Sequence, residues 1–272
     1  MHGFAELNLF VCDSVGELVT LDAAECDRTG RSLTYLSGLI RALAYIHDST
    51  RSLPCSPDGL HAAERWVKQH VHWSTAKMLD YLLVHIAPYR GIDKSPRTLQ
   101  TRSNLARAIR SCPDAQFVQL VRHPVTFALS FAATRPIPAA RQIDALSFAL
   151  HFWLHSHQSL AQWSTGIPES QFFHVRAEAI LSDPRHGLSS LASSLGLQVD
   201  DAAVEAMLHP ERSPYANTAL LPAGSDNDIE FLRNPSLRPA PISPPLEIPS
   251  AWQVDSHLAA EVIRVARQFG YE

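Results

Sequence analysis

The segment Gln116-Phe117-Val118-Gln119-Leu120-Val121-Arg122-His123-Pro124 is the clearest strand in the chain, and it ends on a cation followed by a proline. Pro113-Asp114 marks a turn before it. Pro124 stands where a helix would begin, since its missing N–H costs nothing at a first helical position. A strand that ends in Arg122 and passes into a helix brings a guanidinium and unsatisfied helix amides to one point, an arrangement suited to an anion. A hydroxyl at Ser130, two turns into that helix, could reach a phosphate lying alongside. The plainer alternative is a strand-to-helix turn with a solvated arginine.

Two weaker strands flank this one. Tyr89 to Asp93 precedes Lys94-Ser95-Pro96-Arg97, and Phe172-Phe173-His174-Val175 precedes Arg176-Ala177-Glu178. Helical patterns lie around 33–46, 60–71, 75–86, 98–111, 141–163, 185–195 and 255–269, with Ser32 a cap for the first and Gly196 a stop for the sixth. Strands separated by helices predict an α/β fold with a parallel sheet, whose ligands bind beyond the carboxyl ends of its strands. Lys94 is expected at the same sheet edge as Arg122, if their strands are adjacent. Three clear strands are few for such a sheet. The first apolar stretch, Phe4 to Val11, is a strand or a buried loop.

Other residues invite chemical readings. Glu6 sits among apolar neighbours, where desolvation makes a carboxylate a usable base; the alternative is an exposed glutamate near a chain end. Arg176 and Glu178 could form a surface pair worth little in stability. His151 and His155 have metal-ligand spacing, but no acidic or cysteine ligand accompanies them, and no metal is expected. Arg238 to Pro245 reads as a rigid connector laid on the surface, with a polyproline ligand the alternative.

The 272 residues carry a net charge of −4, with 46% hydrophobic and 18% charged residues. That composition is globular and argues against a broad nucleic-acid surface, while allowing a local basic pocket. Lys68, Lys77 and Lys94 are the only lysines among 23 basic residues, so arginine, the bidentate anion ligand, dominates. Four cysteines without a C-x-x-C pair suit a reducing, cytoplasmic setting, and neither a signal peptide nor a membrane span is expected. A single domain over 1–272 is expected, with a loop-rich lid at 209–250 and a C-terminal helix at 255–269.

Taken together, Asp93-Lys94-Ser95-Pro96, the run Pro113 to Pro124 with Ser130, and His174 to Pro184 leading to Leu195-Gly196-Leu197 resemble a sulfotransferase of the bacterial kind, including domains attached to polyketide synthases. Glu6-Leu7-Asn8-Leu9 resembles the acidic segment after that family's first helix. The resemblance implies a P-loop-like α/β fold that moves a sulfuryl group from 3′-phosphoadenosine-5′-phosphosulfate (PAPS) to a small-molecule or carrier-bound hydroxyl or amine. It implies that Arg122 and Ser130 bind the 3′-phosphate and that Glu6 is the base. Lys94 and Arg176 are expected as supporting cations, and Arg233 and Arg238 as lid residues closing over the nucleotide.

Three departures from the family pattern stand out. Arg176-Ala177-Glu178-Ala179 replaces the usual Arg-Tyr-Glu-Asp, so an aromatic that helps seat the adenine is absent. Asn8 replaces a frequent histidine. No segment matches the Gly/Ser/Thr-rich loop that cradles the phosphosulfate, so the first strand and its loop are expected to be missing, with a central strand's neighbours left exposed and the rate reduced. A non-enzymatic nucleotide-binding or interaction module is the alternative. A nucleotide kinase is disfavoured, because G-x-x-x-x-G-K-[ST] is absent.

Overall fold

A computed structural model describes residues 1–30, 33–49, 56–134, 144–213, 215–216, 233–238 and 244–272. The chain divides into two compact units, Met1–Pro113 with His209–Ser236, and Asp114–Leu208 with Leu237–Glu272.

The first unit opens with β1 (His2–Gly3), which pairs in parallel with β2 (Gly91–Ile92). Phe4, Leu7, Leu9 and Phe10 are buried, but they form a loop and a 3₁₀ turn. Asn8, at φ 54° in the left-handed region, precedes the turn at Leu9–Val11, a conformation that extended backbone does not contain. Helices α1 (Val15–Thr29), α2 (Ser37–His47), α3 (Pro57–Gln69), α4 (Thr75–Ile86) and α5 (Arg102–Ser111) belong to the same unit. Ser56, Ser74 and Thr101 each accept a bond from a first-turn amide, which sets where α3, α4 and α5 begin. The expected cap Ser32 lies outside the described residues. Helix α2 instead begins after Leu36, and Asp22 on α1 accepts from the amides of Thr34, Tyr35 and Leu36 at 2.9, 2.5 and 3.0 Å.

The second unit holds β3 (Phe117–Val121), α6 (Pro124–Thr134), α7 (Ala145–Trp163), β4 (Phe172–Arg176), α8 (Ala177–Ser182), α9 (Pro184–Ser194), α10 (Asp201–Met207) and α11 (Ser256–Gln268). Strands β3 and β4 are parallel over five residue pairs, from Phe117↔Phe172 to Val121↔Arg176. The shared register brings the ends of both strands level, so Arg122 follows Val121 where Ala177 follows Arg176. Val121 packs inward with Leu150 and Trp153 of α7 and Leu258, Val262 and Val265 of α11. Alternation sends Val118 and Leu120 the other way, where they stay 40% and 59% exposed.

The parallel sheet is therefore present as two separate pairs, β1–β2 and β3–β4, among the described residues. The condition set for Lys94, that its strand pair with that of Arg122, is not met among the described residues: β2 pairs with β1, and β3 with β4. The proline run at 239–243 lies outside the described residues.

Candidate active site

In the second unit the β3–α6 turn supplies the anion-binding features. Pro124 opens α6, and His123 O accepts from Phe127 N at 2.9 Å, the first full helical bond. His123 Nδ1 accepts from Val125 N at 3.3 Å, so a side chain satisfies one first-turn amide. Arg122 is half-buried, and its Nε donates to Thr126 Oγ1 at 3.3 Å. No carboxylate pairs with its guanidinium among the described residues. A guanidinium sheltered from water without a counter-charge favours an anion beside it. Ser130 is half-buried one turn beyond Thr126 on the same helix face, since residues four apart stack along a helix. Thr126 was not foreseen; only its place four residues after Arg122 could have marked it.

Arg176 does not pair with Glu178, which corrects the surface-pair reading. Its guanidinium donates to Gly270 O at 2.5 Å and lies 5.6 Å from the centroid of the Tyr271 ring. Glu178 is buried, and it accepts from His123 N and from the Tyr271 hydroxyl, each at 2.8 Å. Burial and the Glu178 carboxylate push the Tyr271 hydroxyl's pKa upward, so it stays a proton donor. Of the two histidines with metal-ligand spacing, His151 is exposed and His155 meets Ser159, while His157, two residues further on, meets Gln119. No group of three metal-ligating side chains occurs among the described residues.

Glu6 and Lys94 come together in the first unit. Lys94 Nζ forms an ion pair with Glu6 Oε1, and Oε2 accepts no hydrogen bond from the described residues. The turn that carries Glu6 is held by its neighbours' amides. Leu7 N donates to Asp93 Oδ1 at 3.1 Å and Asn8 N donates to Ser95 Oγ at 2.9 Å, while Ser95 Oγ donates to Asp93 Oδ1 at 2.8 Å. The carboxyl that burial lifts is Asp93, to about 6; the two hydrogen bonds it accepts oppose that rise without cancelling it. Asn8, where a histidine is frequent in the resembling family, turns its amide nitrogen to the carbonyls of Glu6 and Tyr35. Its Oδ1 is buried without a partner among the described residues.

The remaining expected site residues fall apart in sequence and unit. Arg233 is exposed in the segment belonging to the first unit, and Arg238 is exposed in that of the second. Residues 217–232 and 239–243 of the expected lid lie outside the described residues.

A model of the Sulfotransferase family matches residues 32–201, a span that includes Lys94, Arg122, Ser130 and Arg176 and leaves out Glu6, Arg233 and Arg238. Heparan sulfate glucosamine 3-O-sulfotransferase 6 from Homo sapiens is 26% identical over 167 residues, 56% of this chain. The chain spans 46% of that relative's length. Among solved structures, the sulfotransferase domain from the Synechococcus PCC 7002 olefin synthase is similar with a TM-score of 0.67 and 24% identity, over 98% of this chain and 84% of that one. The sulfotransferase domain from the curacin biosynthetic pathway gives 0.70 and 19%, over 99% and 88%. The chain has an α/β fold shared with these two domains, and it belongs to the Sulfotransferase family. Membership makes it a transferase by family and does not favour the interaction-module reading. No helix among the described residues is long and apolar enough to cross a membrane.

Proposed function

We propose that this chain transfers a sulfuryl group from PAPS to a hydroxyl or amine of a small-molecule or carrier-bound acceptor. The observation that carries the reading is the half-buried Arg122 guanidinium, without a carboxylate partner among the described residues, at the strand end that opens α6. PAPS fits this donor set, because its 3′-phosphate calls for a fixed cation and hydroxyls beside a helix start. Arg122 and Ser130 hold that phosphate, and Thr126 keeps the guanidinium in place. When bound, PAPS supplies a sulfuryl group whose bond to the 5′-phosphate oxygen is already weak.

Glu6 takes the acceptor's proton on Oε2 while Lys94 holds Oε1. As that proton leaves, the new bond to sulfur forms and the bond from sulfur to the 5′-phosphate oxygen breaks, leaving adenosine 3′,5′-bisphosphate. Lys94 and Arg176 are supporting cations, and Arg233 and Arg238 belong to the covering segment. Labelled sulfate followed from PAPS into a panel of hydroxyl and amine acceptors tests the reading. Wild type is expected to label an acceptor. Glu6→Gln is expected to lower turnover by about 10²–10⁴-fold, the usual contribution of a general base, and to leave nucleotide affinity unchanged. Equal turnover in the two proteins would remove Glu6 from the reaction.

A further inference from the structure

Three successive residues at the β3–α6 turn are held through their main chain by side chains from three separate parts of the chain. Trp153 Nε1, from α7, donates to Arg122 O at 2.9 Å. Glu178 Oε1, from the start of α8, accepts from His123 N at 2.8 Å. The Tyr271 hydroxyl, one residue from the end of the chain, shares its proton between Glu178 Oε2 at 2.8 Å and Val121 O at 3.2 Å. Trp153, Glu178 and Tyr271 are each less than a tenth exposed.

Removing a carboxylate, an indole N–H and a phenol from water has a cost that these bonds offset. The groups they satisfy, Val121 O, Arg122 O and His123 N, lie where the β3–β4 pairing ends and the α6 ladder has only begun, and water or any nearby side chain could have met them instead. What the three bonds add is a fixed main chain at Val121, Arg122 and His123. The Nε bond to Thr126 then restrains the Arg122 side chain as well. Little freedom is left for a ligand to freeze out, and preorganisation of that kind favours one ligand geometry over others.

We infer that Trp153, Glu178 and Tyr271 are positioning residues that set the preference of Arg122 for a phosphate on the ribose 3′ position. The inference rests on the reading of Arg122 as a 3′-phosphate ligand. Two probes separate a positioning role from a merely structural one. Adenosine 3′,5′-bisphosphate carries the 3′-phosphate, and adenosine 5′-monophosphate lacks it. Each is titrated calorimetrically into the full chain and its variants.

Tyr271→Phe and Trp153→Phe each remove the bonding N–H or O–H and keep an aromatic ring in place. Glu178→Ala removes the acceptor, and Glu178→Gln keeps one oxygen for His123 N. Tyr271→Phe, Trp153→Phe and Glu178→Ala are each expected to weaken the bisphosphate about tenfold, the scale of one lost hydrogen bond, with the monophosphate unchanged. Glu178→Gln is expected to restore most of the preference. Equal losses for both probes, or no loss for either, would overturn the positioning role. If Arg122→Ala leaves the ratio of the two affinities untouched, the 3′-phosphate site itself is wrong, and the positioning role falls with it.

Discussion

A Cβ on Gly38 would lie 1.9 Å from the carbonyl oxygen of Glu6, closer than any side chain tolerates. Helix α2 therefore carries a glycine where the base-bearing turn crosses it. Alanine is the better helix former by about 1 kcal/mol, so helix propensity alone favours Gly38→Ala. Backbone overlap reverses the sign. Gly38→Ala is expected to destabilise the protein by about 2–3 kcal/mol in urea titration, as overpacked sites do. An unchanged or higher midpoint would show that the close approach is not present.

Asp22 gathers the amides of Thr34, Tyr35 and Leu36 on one oxygen, and it is 4% exposed. Asp22→Ala strands three donors in a dry place, at a cost of about 2–4 kcal/mol. A chemical-denaturation difference below about 0.5 kcal/mol, the scale of an ordinary surface substitution, would contradict this.

Asp93 makes the pH dependence of folding specific. Its folded pKa is raised from 3.8 to about 6, so the folded state holds this proton more tightly than the unfolded chain does. The stability it contributes is complete below the unfolded value and is lost as pH rises through about 6. Asp93→Asn keeps an oxygen for Leu7 N and Ser95 and cannot ionise. The variant is expected to gain on wild type between pH 4 and 7, by up to about 3 kcal/mol. A constant gap between the two proteins across that range would refute the shift.

His157 acts with the opposite sign of slope. Burial, with His174 nearby, lowers its pKa from 6.5 to about 4, and its Nδ1 lies 2.7 Å from Gln119 Nε2. The unfolded chain takes up this proton near pH 6.5 and the folded protein does not. Stability is therefore complete above about 6.5 and lost as pH falls through 4. His157→Phe keeps a flat ring and is expected to lose less stability than wild type between pH 6.5 and 4, by up to about 3 kcal/mol. Parallel acid-denaturation curves would rule this out.

Much of the second unit was legible because its signals are local. Phe117 to Val121 is a short run rich in β-branched and aromatic residues preceded by the turn signal Pro113-Asp114, and Pro124 marks the helix start without help from distant residues. Helix α1 was missed although its ends are marked. Ser14 accepts from Glu17 N, Glu17 reaches back to Asp13 N, and Gly30 closes the helix at φ 69°. The apolar stripe that should have joined those ends is interrupted, because the buried face includes the carboxylate Asp22 beside Val15 and Leu18. The hold on Arg122 was illegible for a different reason. Glu178 and Tyr271 are 93 positions apart, and no local pattern tells a buried glutamate from one on the surface. The pairing of strands in twos likewise depends on long-range register, which spacing does not encode.

The most direct test of the account is calorimetry with adenosine 3′,5′-bisphosphate on wild type and Arg122→Ala. Wild type is expected to bind, and Arg122→Ala to bind at least about tenfold more weakly, because a charge-assisted contact is worth about 1.5–3 kcal/mol. Equal affinity in the two proteins, with the variant's fold intact by circular dichroism, would show that Arg122 does not hold the ribose phosphate.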